Sequence, residues 1–122
     1  MATLEKKSFD NPDETKAPDK TLAQTVNFGT VAATKITAQP GWSWSSCIKP
    51  HVGGDSCQAG HVGMVLKGSL RVRHDDGTEV VVTAGDAYSF APGHDAWVEG
   101  DEAVEVYEFN NTGKTYAVWE QA

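Results

Sequence analysis

A chain of 122 residues and 13.1 kDa has room for one hydrophobic core and too little for two domains of ordinary size. Hydrophobic residues make up 39% of it, and no run approaches the roughly 20 apolar residues of a bilayer-spanning helix, so a membrane span is excluded. Ten Lys and Arg against 17 Asp and Glu leave a net charge of −7. Between Asp75 and Gly113 there are ten acidic residues and no Lys or Arg, a distribution that repels phosphate backbones and anionic headgroups. Nucleic acid and membrane surfaces are therefore not expected partners.

The first twenty residues, MATLEKKSFDNPDETKAPDK, hold no apolar stretch of the length a secretory signal needs, and the expected location is the cytoplasm. Pro12 and Pro18 break any helix there and few side chains can be buried, so residues 1–20 are expected as a flexible or loosely docked arm. Residues 21–122 then form a single domain. From Thr21 onward, short runs of Val, Thr, Ala and aromatics are cut by Gly, Pro, Asn and Asp, the punctuation of an all-β protein. Strands are predicted near 22–28, 31–38, 42–47, 62–67, 69–74, 78–83, 87–91, 95–99, 103–109 and 115–119. The clearest signal is a hairpin in which Leu70 and Val72 alternate with Arg71 and Arg73, and the chain turns at Asp75-Asp76-Gly77. So many short strands would leave exposed edges in one flat sheet, which favours a small antiparallel β-barrel or double-sheet jelly roll.

Two spacings carry more. Gly68 follows His61 by seven positions, with Cys57 and Asp55 ahead of it, and Gly85-Asp86 precedes Ala91-Pro92-Gly93-His94. This stretch, from Gly53 to Ala96, resembles the cupin superfamily, small β-barrels built around one internal site whose usual metal ligands are three His and a Glu. The resemblance places Asp55 and Cys57 where the family has its first two His, and His61 where it has Glu. The third His position falls on Ala96, but His94 lies two residues earlier on the same side of an extended strand and substitutes for it. Pro40-Gly-Trp-Ser-Trp-Ser45 and Ala91-Pro-Gly-His-Asp-Ala-Trp-Val98 also look like small, stand-alone bacterial cupins.

If the strand is continuous, Asp55, Cys57 and His61 share parity and point into the barrel together. One thiolate, two imidazoles and an optional carboxylate suit a divalent metal ion, zinc best, with iron, nickel and cobalt compatible. The opposing reading treats Cys57 as a small buried hydrophobe and the two histidines as hydrogen-bonded core residues. Trp44 and Trp97, and Tyr107 with Glu105 on one face of a late strand, are candidates to hold a small-molecule ligand at the barrel mouth. Asp95 either orients His94 or caps a turn. His51 falls in a Gly-rich connection and His74 at a hairpin end, both outside the site. A Cys47–Cys57 disulfide fits the spacing, but a reducing compartment opposes it. No phosphate loop or nucleophile elbow is present. Two functions remain: a metalloenzyme using Lewis-acid, hydroxide or oxygen chemistry, or a barrel with no metal or a structural one that binds a small ligand or senses it. A homodimer pairing near residues 22–38, where charge is sparse, is the expected assembly.

Overall fold

The computed structural model describes residues 3–111, and those residues form two antiparallel sheets closed over a shared core. In chain order the elements are β1 (Glu14–Lys16), β2 (Thr21–Asn27), β3 (Val31–Ala38), α1 (Trp44–Cys47), α2 (Lys49–Val52), β4 (His61–Lys67), β5 (Ser69–His74), β6 (Glu79–Thr83), β7 (Ala87–Phe90), β8 (His94–Val98) and β9 (Val104–Asn111). One sheet has the order β1-β2-β3-β9-β4-β7 and the other β6-β5-β8. The all-β jelly-roll expectation holds. No helix among the described residues is long and apolar enough to cross a membrane. The strand expected near 115–119 lies outside the described residues.

Alternation builds the core. Val65, Leu70, Val72, Val82, Tyr88, Phe90, Ala96, Val98, Val104 and Val106 are all buried, each on the inward side of its strand. Burying one such aliphatic side chain contributes about 1.5–3 kcal/mol, so the facing stripes hold the sheets together. The chain passes from one sheet to the other at Gly68, the single residue between β4 and β5. Its φ is +83° and a Cβ there would stand 2.6 Å from the Ala103 carbonyl oxygen, so only glycine fits the corner.

Within the stretch expected as a strand at 42–47, residues 44–47 are helical instead, and Ser43 keeps one bridge to Trp97. Ser43, extended at φ −143° and ψ 154°, accepts a hydrogen bond from the Ser46 amide at 3.1 Å and starts α1; Pro50 sits in the first turn of α2. Local capping therefore outweighs the strand preference of the tryptophans. Within residues 1–20, β1 pairs with β2, Glu14 opposite Thr25, and the Phe9 ring stacks on Tyr107 at 5.3 Å.

Candidate metal centre

Antiparallel pairing brings four polar or aromatic positions to one end of the barrel. His61 opens β4, His94 opens β8, Phe90 closes β7, and Glu108 lies opposite Gly63 near the end of β9. Cys57 joins them from the preceding loop. Its amide donates to the His94 carbonyl at 2.7 Å and its carbonyl accepts from the Gly93 amide at 2.7 Å, clamping the loop to β8.

One donor atom from each of Cys57, His61 and His94 lies within 4.8 Å of the other two, and Sγ of Cys57 is 3.5 Å from Nε2 of His61. Both rings have their other nitrogen committed. Nδ1 of His61 donates to Oε1 of Glu108 at 2.8 Å, and Nδ1 of His94 donates to the Ala91 carbonyl at 2.8 Å. A carbonyl only accepts, so the proton on His94 Nδ1 is fixed by its partner. Oε2 of Glu108 accepts from the Tyr88 hydroxyl at 2.7 Å. The two imidazoles meet edge to face at 5.1 Å.

Charge follows from this geometry. Burial works against a thiolate, but hydrogen bonds with His61 and His94 and from the Ala59 amide outweigh it and bring Cys57 down to about 6. Burial likewise works against a charged imidazole, yet hydrogen bonds with Cys57 and Glu108, and the negative charge on both, push His61 up to about 10. His94 is raised as well, its own burial outweighed by Cys57 and the Ala91 carbonyl. Without metal, these shifts favour a Cys57 thiolate beside a charged His61 at neutral pH.

The spacing of Cys57 and His61 fits a tetrahedral ion. With Zn–S near 2.3 Å and Zn–N near 2.0–2.1 Å, tetrahedral geometry separates sulfur from nitrogen by about 3.6 Å, close to the spacing between Sγ and Nε2. A cavity of about 280 Å³ opens between the edge strands β6 and β7, lined by Val72, Val80, Phe90 and His94 among others.

Other predicted residues fall elsewhere. Asp55 is exposed and stands apart from the cluster, because residues 55–60 turn rather than run as a strand. The inward place before Cys57 goes to Ser56, 4% exposed, whose hydroxyl donates to Asp75 at 2.8 Å. Glu105 and Tyr107 point out of the barrel, since Val104 and Val106 take the inward positions of β9. Glu105 pairs with Lys35 at 3.5 Å; Tyr107 lines an outer-face apolar cavity of about 270 Å³ with Phe9, Val26 and Phe109. Trp97 alternates with buried Ala96 and Val98 and so lies on the outer face of β8, while Trp44 is buried on α1. Asp95 accepts from the Ser45 amide at 3.2 Å, so it anchors α1 and does not orient His94. His51 is exposed on α2, and His74 bonds the Pro92 carbonyl at 2.8 Å from the rim of the cavity. Cys47 is a buried free thiol, as is Cys57.

Glu108 and Tyr88 complete the network and escaped the sequence reading. A signal for Glu108 was present: once Val104 and Val106 are taken as core, the alternation of β9 puts 108 inward as well.

No family model matches the chain, and no curated protein matches it in sequence. Solved structures do. A protein of unknown function from Rhizobium leguminosarum is similar with a TM-score of 0.62 at 18% identity, over 88% of this chain and 97% of that one. A sugar phosphate isomerase of the cupin superfamily from Silicibacter pomeroyi is similar with a TM-score of 0.62 at 17% identity, over 86% and 74%. The Cupin_2 domain of an XRE family transcriptional regulator from Enterobacter cloacae gives a TM-score of 0.54 at 13% identity, over 75% and 95%. At these identities the likeness carries architecture rather than activity, and what it establishes is that this chain has the cupin fold.

Proposed function

We propose that Cys57, His61 and His94 hold one divalent metal ion, zinc by preference, with iron and nickel compatible, and that the barrel acts on a small molecule bound beside it. The observation that carries this reading is the convergence of one thiol and two imidazoles within 4.8 Å, with Nδ1 of both rings already tied to acceptors. Such outer hydrogen bonds fix ring orientation and raise ligand basicity in metal sites. When bound, an ion with three protein ligands and an open position supplies a Lewis acid or a bound hydroxide, or, if iron, a site for oxygen chemistry.

Around it, this chain's residues set what can approach. Val72, Val80 and Phe90 make the cavity wall apolar, and His74, Asp76 and Thr78 give it a polar rim. No Lys or Arg lines it among the described residues, which favours a neutral, partly apolar molecule over a phosphorylated one. The same array also supports a second reading, a barrel that binds or senses a small ligand without metal. Thiolate, imidazolium, carboxylate and Tyr88 hydroxyl already satisfy one another.

Elemental analysis of the purified protein separates the two. One metal per chain, lost in Cys57→Ser, supports the metal centre; no metal in the wild type under zinc-replete conditions leaves the ligand-binding barrel. As part of the same proposal, two copies pair. The expected interface is the strands near residues 22–38, and support comes from their sparse charge, Lys35 alone, and from the exposed Leu22 and Val31. Sedimentation of a 13.1 kDa species alone at micromolar concentration would contradict it.

A further inference from the structure

We infer that Tyr88 is a positioning residue for His61, acting through Glu108 across the bare backbone of Gly63. The inference rests on reading His61 as a metal ligand. Gly63 of β4 pairs with Tyr88 of β7 on one side and with Glu108 of β9 on the other. Strands lie about 4.8 Å apart, so the Tyr88 and Glu108 backbones are separated by about 10 Å with β4 between them. The phenol spans that gap by lying over Gly63.

A Cβ at Gly63 would stand 2.8 Å from the Tyr88 oxygen and 2.9 Å from its ring carbon Cζ, distances no real side chain keeps. Glycine thus leaves a lane along which the hydroxyl reaches Oε2 of Glu108 at 2.7 Å, while Oε1 accepts a hydrogen bond from His61 Nδ1 at 2.8 Å. A glutamate has three rotatable bonds, and one hydrogen bond would leave its carboxylate free to turn. Two bonds from opposite sides set its plane and with it the His61 ring, whose Nε2 then faces Sγ of Cys57.

Packing makes the anchor stiff. Tyr88 is 8% exposed and stacks on Phe90 at 4.2 Å and 11°, and Phe90 in turn leans on the His94 ring at 5.6 Å. A phenylalanine at 88 would fill the same core without desolvating a hydroxyl. Among the described residues, the hydroxyl's hydrogen-bond partner is the carboxylate that holds a candidate ligand.

The test is Tyr88→Phe in the full chain, with two readouts: zinc affinity by competition with a chromophoric chelator, and the His61 ring Nδ1 proton by ¹⁵N-edited NMR on metal-free protein. The expected result is about tenfold weaker zinc binding, the low end for loss of an outer-shell partner, together with loss or broadening of that proton signal through exchange. Gly63→Ala, which closes the lane, should lose at least as much; since its Cβ also meets the Tyr107 carbonyl, Tyr88→Phe decides if that variant does not fold. An unchanged Nδ1 proton in Tyr88→Phe overturns the inference, whatever the zinc result. Should the wild type bind no zinc, the ligand reading falls by itself, and the proton signal still supports or overturns the positioning role.

Discussion

Glu105 and Glu108 stand three residues apart on β9 and carry the same side chain, yet they do opposite things. Glu105 points out of the barrel and meets Lys35 at 3.5 Å, both side chains partly exposed. Glu108 points in, accepts one hydrogen bond from His61 and another from Tyr88, and helps push His61 up to about 10. Parity on one strand separates an ion pair on the outer face from the carboxylate that holds His61. The same division runs along β4, where Val65 is fully buried and Val62 is 44% exposed.

If inward position is what matters, the largest stability effect belongs to the core itself. Val104→Ala, at a side chain 2% exposed, should cost about 2–3 kcal/mol in denaturant unfolding through lost burial and the cavity left behind. A cost below about 1 kcal/mol would mean that the sheets are not closed over that position. Next in size is the carboxylate contrast: Glu108→Gln should weaken zinc binding by 10–100-fold, about 1.4–2.7 kcal/mol. Glu105→Gln should leave it unchanged. Equal effects from the two would dissolve the distinction between the faces.

A titration of metal-free protein sharpens the comparison further. The Cys57 thiolate should appear in ultraviolet absorbance with a midpoint near 6, well under the ~8.5 of an unperturbed thiol. A depressed acid stabilises the fold fully above its unfolded value and loses that share as pH falls through the folded one. Cys57's contribution should therefore fade between about 8.5 and 6 on acidification. His61 runs the other way, complete below about 6.5 and lost as pH rises through about 10. Melting temperatures that fall on both sides of this window, less so in Cys57→Ser, are the expected pattern. The smallest effect is on the outer face, where Glu105→Gln should change stability by less than about 1 kcal/mol and less again in high salt.

Most of the strands could be read from alternation, because Leu70, Val72, Val80 and Val82 around Asp76-Gly77 allow one register only. Cys57, His61 and His94 were also legible, though for a reason the structure replaces. Parity along a continuous strand does not apply to residues 55–61; the backbone clamp between Cys57 and His94 and the start of β4 bring the three together. Asp55 was named on the same parity and drops out with it. Glu105 and Tyr107 do share one face of β9, as their spacing predicts, but the buried Val104 and Val106 make it the outer one. Tyr88 could not be found locally at all, since its partner lies two strands away across a glycine.

The corner at Gly68 bears on how the molecule comes apart. With one residue between β4 and β5, the two strands are a single bent ribbon, half in each sheet. Neither half can leave its neighbours without pulling on the other, and the buried valines facing across the interior are contributed by both. Heat or denaturant should accordingly remove the two sheets in one transition, with the same midpoint for a probe on Trp97 in the small sheet as for one on Tyr107 in the large.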